Sequence, residues 1–220
     1  MRLVLIAPPG AGKGTQAARI AAHFGVLHIA TGNLLRSHVQ RGTPLGRAVR
    51  ASMDAGALVP DRIVRDIVSE AMAGAKAAGV GYVLDGYPRT RAQARAVHRT
   101  AARIGMTAHA ALHLRVDDEE AVRRMLARAA DEHRPDDTEP VIRRRLKLYH
   151  EVTRPVVDGY AARGILVSVD GTGTADQVTA RVLERLEEPA WPAICIPALL
   201  SRPATLEPRA TPVLMTGCST

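Results

Sequence analysis

The sequence predicts an α/β protein with a five-stranded parallel sheet flanked by helices. Short apolar runs alternate with amphipathic stretches from Arg2 to Glu187, the pattern of strands joined by crossover helices. The strand-like runs are apolar at most positions, as expected where both faces of a sheet are covered. The first run ends in a Gly/Pro-rich loop that leads straight into a helical pattern.

Each element follows from its local pattern. Arg2–Ile6 is a short apolar run ending in turn residues and reads as a buried strand. Ala7–Gly14, rich in glycine and proline, must be a loop. Gly14–Phe24 then reads as a helix, with Ala17, Ile20, Ala21 and Phe24 on one face. Val26–Ile29 is a second strand, and Thr31–Gln40, Pro44–Ala55 and Asp61–Ala73 are helices. Tyr82–Leu84 is a third strand, followed by a helix over Thr90–Ile104. Ala108–Leu114 is a fourth strand and Glu119–Ala129 a helix. The polar stretch Ala130–Asp137 separates that helix from a long one, Thr138–Ala161. Ile165–Val169 is the fifth strand and Ala175–Glu187 the last helix. No internal repeat is visible.

Composition changes after Glu188. The last 32 residues hold six of the 14 prolines, the only tryptophan (Trp191) and both cysteines, Cys195 and Cys218. Pro189–Thr220 is therefore expected to be a tail outside the fold, mostly disordered. The remaining 1–188 make one domain, a length that suits a single substantial core.

Several function classes fall away. No apolar run is long enough to span a membrane, and Met1–Ile6 meets the Gly/Pro cluster too soon for a signal peptide. Two cysteines near one end exclude a disulfide scaffold and a CxxC zinc site. A cytoplasmic protein is expected. Lysine and arginine number 30 against 22 acidic residues, a balance that attracts anions. Aromatics are only 3%, which leaves little for stacking single-stranded bases. Only Lys13, Lys76 and Lys147 are lysine, so the arginine excess reflects composition bias as much as function. The eight histidines are scattered. His109 and His113 share a face of the fourth strand but lack a third ligand, and read as ordinary satisfied histidines.

The loop Ala7–Gln16, APPGAGKGTQ, lies between a strand and a helix, the setting of a phosphate-binding loop and of the P-loop NTPase fold. Glycines let backbone N–H groups converge on phosphate oxygens, and the helix start adds partial positive charge. Lys13 can reach the β/γ-phosphates, and Thr15 offers a hydroxyl toward Mg²⁺. The usual pattern starts with glycine where this chain has Ala7, and Gly14 intervenes between Lys13 and Thr15.

GKGTQ followed by Ala17, Ile20 and Ala21 resembles the adenylate kinase family of nucleoside monophosphate kinases. The likeness continues over residues 1–186. Ala30–Arg36 (ATGNLLR) is similar to the family's STGDLLR. Gly56–Pro60 (GALVP), Gly81–Thr90 (GYVLDGYPRT), the polar stretch before Thr138 and Arg143–Pro155 (RRRLKLYHEVTRP) follow in family order.

The resemblance implies reversible phosphoryl transfer from MgATP to AMP, in a core carrying two inserts. One is an NMP-binding insert at about residues 30–59; the other is a short lid at about 129–137, too short for the zinc-bearing form. It implies no protein-bound zinc, no nucleic-acid or membrane partner, and a monomer. On the ATP side it implies Gly10, Ala11, Gly12, Lys13, Gly14, Thr15, Arg128 and Gly173. On the AMP side it implies Thr31, Arg36, Ala57, Leu58, Val59, Gly86, Tyr87, Pro88, Arg89, Gln93, Arg134 and Arg145. Lys13, Arg89, Arg128, Arg134 and Arg145 would be catalytic, with Asp85 and Thr15 near Mg²⁺ through water. Asp136 and Asp137 would orient the arginines. Read alone, Asp85 also fits a turn or cap, Asp137 an N-cap and Gly173 an ordinary turn. Arg124 shares a helix face with Arg128, four residues on.

Thr31 and Gln93 favour AMP over UMP or CMP, because the pyrimidine relatives typically carry Ala and Asn there. A UMP/CMP kinase remains the alternative acceptor reading. A nucleotide-binding regulatory paralogue with weakened catalysis is the alternative class, motivated by Ala7 and by Asn33 in place of the family's acidic residue.

Overall fold

Five strands, β1 (Arg2–Ile6), β2 (Leu27–Ala30), β3 (Tyr82–Asp85), β4 (Ala110–Arg115) and β5 (Leu166–Asp170), form one sheet. All pairs are parallel, in the order β2-β3-β1-β4-β5. β1 is central, with Leu3 level with Val83 of β3 on one side and Ala110 of β4 on the other. The structure, a computed structural model, describes residues 1–132 and 138–188. The expected tail Pro189–Thr220, and the lid residues Arg134, Asp136 and Asp137, lie outside the described residues.

Helices α1 (Lys13–Phe24), α2 (Thr31–Gln40), α3 (Pro44–Asp54), α4 (Asp61–Ala77), α5 (Arg91–Arg103), α6 (Asp118–Glu132), α7 (Glu139–Leu148), α8 (Arg154–Ala161) and α9 (Ala175–Glu187) surround the sheet. Period-two alternation along β1 divides the core. Leu3 and Leu5 pack with Ala17 and Ile20 of α1 and Val178 and Val182 of α9. Val4 and Ile6 face the other way, toward Val68 and Met72 of α4, Val97 of α5 and Val156 of α8. Both faces are thus covered, which is why these strands read as continuous apolar runs. A third cluster, Val122 and Met125 of α6 with Ile142 and Leu146 of α7, holds those two helices together.

Several boundaries differ from the sequence reading. α4 runs past Gly74 to Ala77, because Ala75 is buried in the core and extends the packed face. Its end is closed by Gly79, just beyond the helix, where φ is +67° and Val80 N–H bonds back to the Ala75 carbonyl. β4 starts at Ala110, two residues later than expected, with His109 N–H on the Arg2 carbonyl at its margin.

The expected long helix 138–161 is interrupted. Tyr149–Thr153 is a π-helical segment between α7 and α8. Pro155 follows at once, and its ring would clash with the i−4 carbonyl of a regular helix. The wider turn removes the conflict, with Arg154 N–H reaching back to the Tyr149 carbonyl. Tyr149 is anchored beneath by a 2.9 Å hydrogen bond shared between its hydroxyl and His113 Nε2. Burial pushes the His113 pKa down to about 4, helped by Arg154 and Arg115. Burial likewise pushes Tyr149 up to about 12. His109 has a separate partner, accepting from Arg2 Nε at 3.0 Å.

Candidate active site

The carboxyl ends of β1, β2 and β3 open onto a cleft of about 490 Å³, the expected ligand edge of a parallel sheet. Its floor is the loop after β1. Gly10, Gly12, Lys13, Gly14 and Thr15 all line it. Gly10 has φ +81°, and a Cβ there would overlap the Ala121 carbonyl of α6; only glycine allows both the turn and the approach. Ala11 is buried behind the loop, packed with α1 and α9. Ala7 joins the same cluster, so its methyl is absorbed by the core.

Lys13 Nζ donates to the carbonyls of Ala7 at 3.0 Å and Pro8 at 2.7 Å. Burial lowers its pKa to about 8, against the pull of Asp85 and with the push of Arg89 and Arg128. Asp85 ends β3 beside this loop, with a side chain 13% exposed and Oδ2 at 3.4 Å from His28 Nε2. A Cβ on Gly14 would stand 3.8 Å from Asp85 Oδ2, so the carboxylate sits directly against the phosphate loop.

A second wall comes from α2 and the segments after α3 and β3. Thr31, Arg36, Ala57, Leu58, Val59, Gly86, Tyr87, Pro88, Arg89 and Gln93 line it together. Thr31 Oγ1 donates to the Asp85 carbonyl at 3.1 Å. Gly86, at φ +84°, is held so close that a Cβ would meet Thr31 Oγ1 at 2.8 Å. The Tyr87–Pro88 peptide is cis. The Arg36 guanidinium lies over the start of α2, 3.4 Å from where a Gly32 Cβ would be, and donates to Asn33 Oδ1 at 2.6 Å. Asn33 thus accepts the bond without neutralising Arg36. Arg89 Nε donates to the Gly86 carbonyl at 2.8 Å. Desolvation lowers the Arg89 pKa, with Asp85 opposing and Arg145 and Arg36 adding to the shift.

The third wall is α6 and α7, which bring Arg128 and Arg145 to the cleft. Arg124 also lines it, a residue to which the sequence assigned only a helix face. Its guanidinium donates to the carbonyls of Gly171 at 3.0 Å and Gly173 at 3.3 Å, and pairs with Glu120 at 2.5 Å. Gly173 does not line the cleft; it is tied to it through Arg124. The i, i+4 spacing with Arg128 was the available signal for Arg124. His28 and Asp61, which contact lining residues from behind, left no such signal in the sequence.

Two helices start in this cleft without a capping side chain. Neither α1, with Gly12 as N-cap, nor α2, with Ala30, has a side chain on its first N–H groups or an acid in its first turn. By contrast α3, α5 and α9 are capped by Thr43, Thr90 and Thr174, and α4 and α7, which also lack a capping side chain, carry Asp61 and Glu139 in their first turns. Around the two bare ends stand six cationic side chains, Lys13, Arg36, Arg89, Arg124, Arg128 and Arg145, and one carboxylate, Asp85, among the described lining residues. Such a site takes polyanions, two of them at two helix ends.

Comparison with known proteins agrees. The family model for adenylate kinase matches residues 5–165. An adenylate kinase of Maricaulis maris is 46% identical over 188 residues, covering 86% of this chain and 100% of that protein. One from Thermus thermophilus is 46% identical over 180 residues, covering 82% of this chain and 94% of its own. One from Stenotrophomonas maltophilia is 45% identical over 187 residues, covering 85% and 100%. A match that spans the sheet, both bare helix starts and the arginines of α6 and α7 leaves one conclusion: the chain belongs to the adenylate kinase family.

Proposed function

We propose that this cleft transfers the terminal phosphoryl group of ATP to AMP, reversibly, giving two ADP. The observation that carries the reading is the pair of uncapped helix starts in one strongly cationic cleft. ATP phosphates rest on the α1 side, against the N–H groups of Gly10–Thr15. The AMP phosphate rests on the α2 side, under Arg36. The γ-phosphorus–oxygen bond to the β-phosphate breaks as an AMP phosphate oxygen bonds to the same phosphorus. That oxygen is already ionised, so no general base is needed.

Two polyanions must be held together, so cationic positioning supplies most of the catalysis. Lys13 leaves its two carbonyl partners for the β/γ-phosphates, and the incoming negative charge restores its full protonation. Arg89 and Arg145 face the acceptor and transferred phosphates, and Arg128 faces ATP. Ala57–Val59, Tyr87, Pro88 and Gln93 hold the adenosine of AMP. Gly173 borders the ATP base through its tie to Arg124. Asp85 and the Thr15 hydroxyl lie where a hydrated Mg²⁺ bound with ATP fits, an arrangement supported by the Asp85 carboxylate against Gly14. Held there by Asp85 and Thr15 through water, Mg²⁺ would neutralise phosphate charge during transfer. The catalytic unit is residues 1–188, with about 30–59 as the acceptor-side insert, working as a cytoplasmic monomer. Among the described residues, no helix is long and apolar enough to cross a membrane.

A coupled ADP-formation assay with MgATP and, separately, AMP, UMP, CMP and GMP tests the reading. Turnover with AMP and background with the others is the expected result. Turnover with UMP or CMP would instead assign a pyrimidine acceptor. Nucleotide binding without turnover would assign a regulatory protein, with Ala7 and Asn33 as the first suspects.

A further inference from the structure

Gln93 lines the cleft yet is only 3% exposed. Its side-chain amide is held from both ends. Oε1 accepts from Arg89 N–H at 2.7 Å, and Nε2 donates to Asp61 Oδ1 at 2.7 Å. Gln93 N–H in turn is fixed by the Thr90 hydroxyl at 3.0 Å. One amide therefore joins the first turn of α4, the first turn of α5 and the loop after β3. Asp61 itself is solvent-exposed and does not line the cleft.

The geometry points to Asp61 as a positioning residue that sets nucleobase selectivity through Gln93. A primary amide has two acceptor lone pairs and two donor hydrogens. Arg89 and Asp61 each occupy one, leaving one lone pair and one N–H for a ligand. An ionised carboxylate only accepts, so it holds the NH₂ end toward itself. The order of acceptor and donor offered to a base is thereby fixed. That order matters because 6-amino and 6-oxo purines present opposite patterns. Adenine offers an amine donor beside a ring-nitrogen acceptor. Hypoxanthine offers a carbonyl acceptor beside a ring N–H donor. A freely turning amide reads both; a pinned one reads one. With Asp61 gone, only the Arg89 contact opposes the flip.

This inference rests on the reading of the second wall as the AMP site. The test compares AMP with its 6-oxo analogue IMP as acceptor, in the full-length protein, the Asp61→Ala, Asp61→Asn and Gln93→Leu variants, and the Asp61→Ala/Gln93→Leu double variant. The expected result for Asp61→Ala is a KM for AMP raised about tenfold, with kcat and the KM for ATP within about twofold. The ratio of kcat/KM for AMP over IMP should fall by a similar factor. Asp61→Asn can donate as well as accept, so it keeps a contact to Gln93 without fixing the sense of the amide, and should lose selectivity as Asp61→Ala does. In the Gln93→Leu background the Asp61 substitution should have no further effect on the ratio, since its target is gone. An unchanged AMP/IMP ratio in Asp61→Ala overturns the proposal, as does an equal loss for both acceptors or a persisting effect in the double variant. If Asp61→Ala does not fold, the Asp61→Asn variant decides: an AMP/IMP ratio equal to the parent's there overturns the proposal. Should the unsubstituted protein itself show no preference for AMP, it is the assignment of the site, not of Asp61, that fails.

Discussion

At the scale of single residues, the cleft works by charge held in place. Lys13 is the only lysine within it and sits where burial and two neighbouring arginines already lower its pKa to about 8. Replacing it with methionine keeps the stem and removes the charge. Lys13→Met and Arg89→Ala should each lower kcat by about 10²–10³-fold or more, while circular dichroism and thermal unfolding stay close to those of the parent. Near-normal turnover in either purified variant would remove that residue from the catalytic set. The two departures from the family pattern have local explanations. Ala7 presents its carbonyl to Lys13 and its methyl to the core. Asn33 holds Arg36 by a neutral oxygen.

At the scale of elements, helix ends and the π segment shape the site and its support. The helices that border the site at α1 and α2 are left bare, while α9 starts with a full capping box, Thr174 with Gln177. Thr174→Ala should cost about 1 kcal/mol of stability in denaturant unfolding and leave turnover unchanged. The π segment rests on His113, which is 6% exposed. Its pKa of about 4 in the fold lies below the ordinary 6.5. The unfolded chain therefore binds the extra proton between those values, and the native state does not. Stability is fully present above about pH 6.5 and is lost as pH falls toward 4, by about 2–3 kcal/mol from this group. His113→Gln keeps a partner for the Tyr149 hydroxyl but cannot titrate. Its unfolding free energy should fall less steeply between pH 7 and 4, as measured by urea melts at each pH. A slope equal to the parent's would show that other groups dominate.

At the scale of the whole molecule, the sheet is packed on both faces, whereas α2 and α3 stand at the second wall of the cleft, the side proposed for AMP. Leu35 and Val49 are the buried residues these helices contribute to the main cluster. Residues 31–59 should therefore close over AMP when both substrates bind. Hydrogen exchange should show them gaining protection with a bisubstrate analogue, while β1, β3 and β4 change little. Equal exchange with and without the analogue would exclude closure of that insert.

Much of the fold is written locally. Strand runs, the phosphate loop and the helix faces depend on residues near in sequence, so periodicity and turn chemistry reveal them. The ordered motifs from Gly10 to Arg145 likewise pointed to the chemistry before any contact was known. What periodicity cannot express is which long-range partner wins. Gly74 looks like a helix stop, but burial of Ala75 carries α4 through it. The span from Thr138 to Ala161 looks like one helix, but Pro155 and the anchor from His113, 36 residues away, turn its middle into a π segment. Arg124 looks like one more surface arginine until two glycine carbonyls, 47 and 49 residues on, receive its guanidinium. The sequence by its local patterns yielded the α/β class, the loop and, among the described cations of the cleft, all but Arg124. The order of the strands, the meeting of two bare helix ends in one cleft and the hydrogen bond from Gln93 to Asp61 emerge only in the folded chain, because each joins groups distant along it.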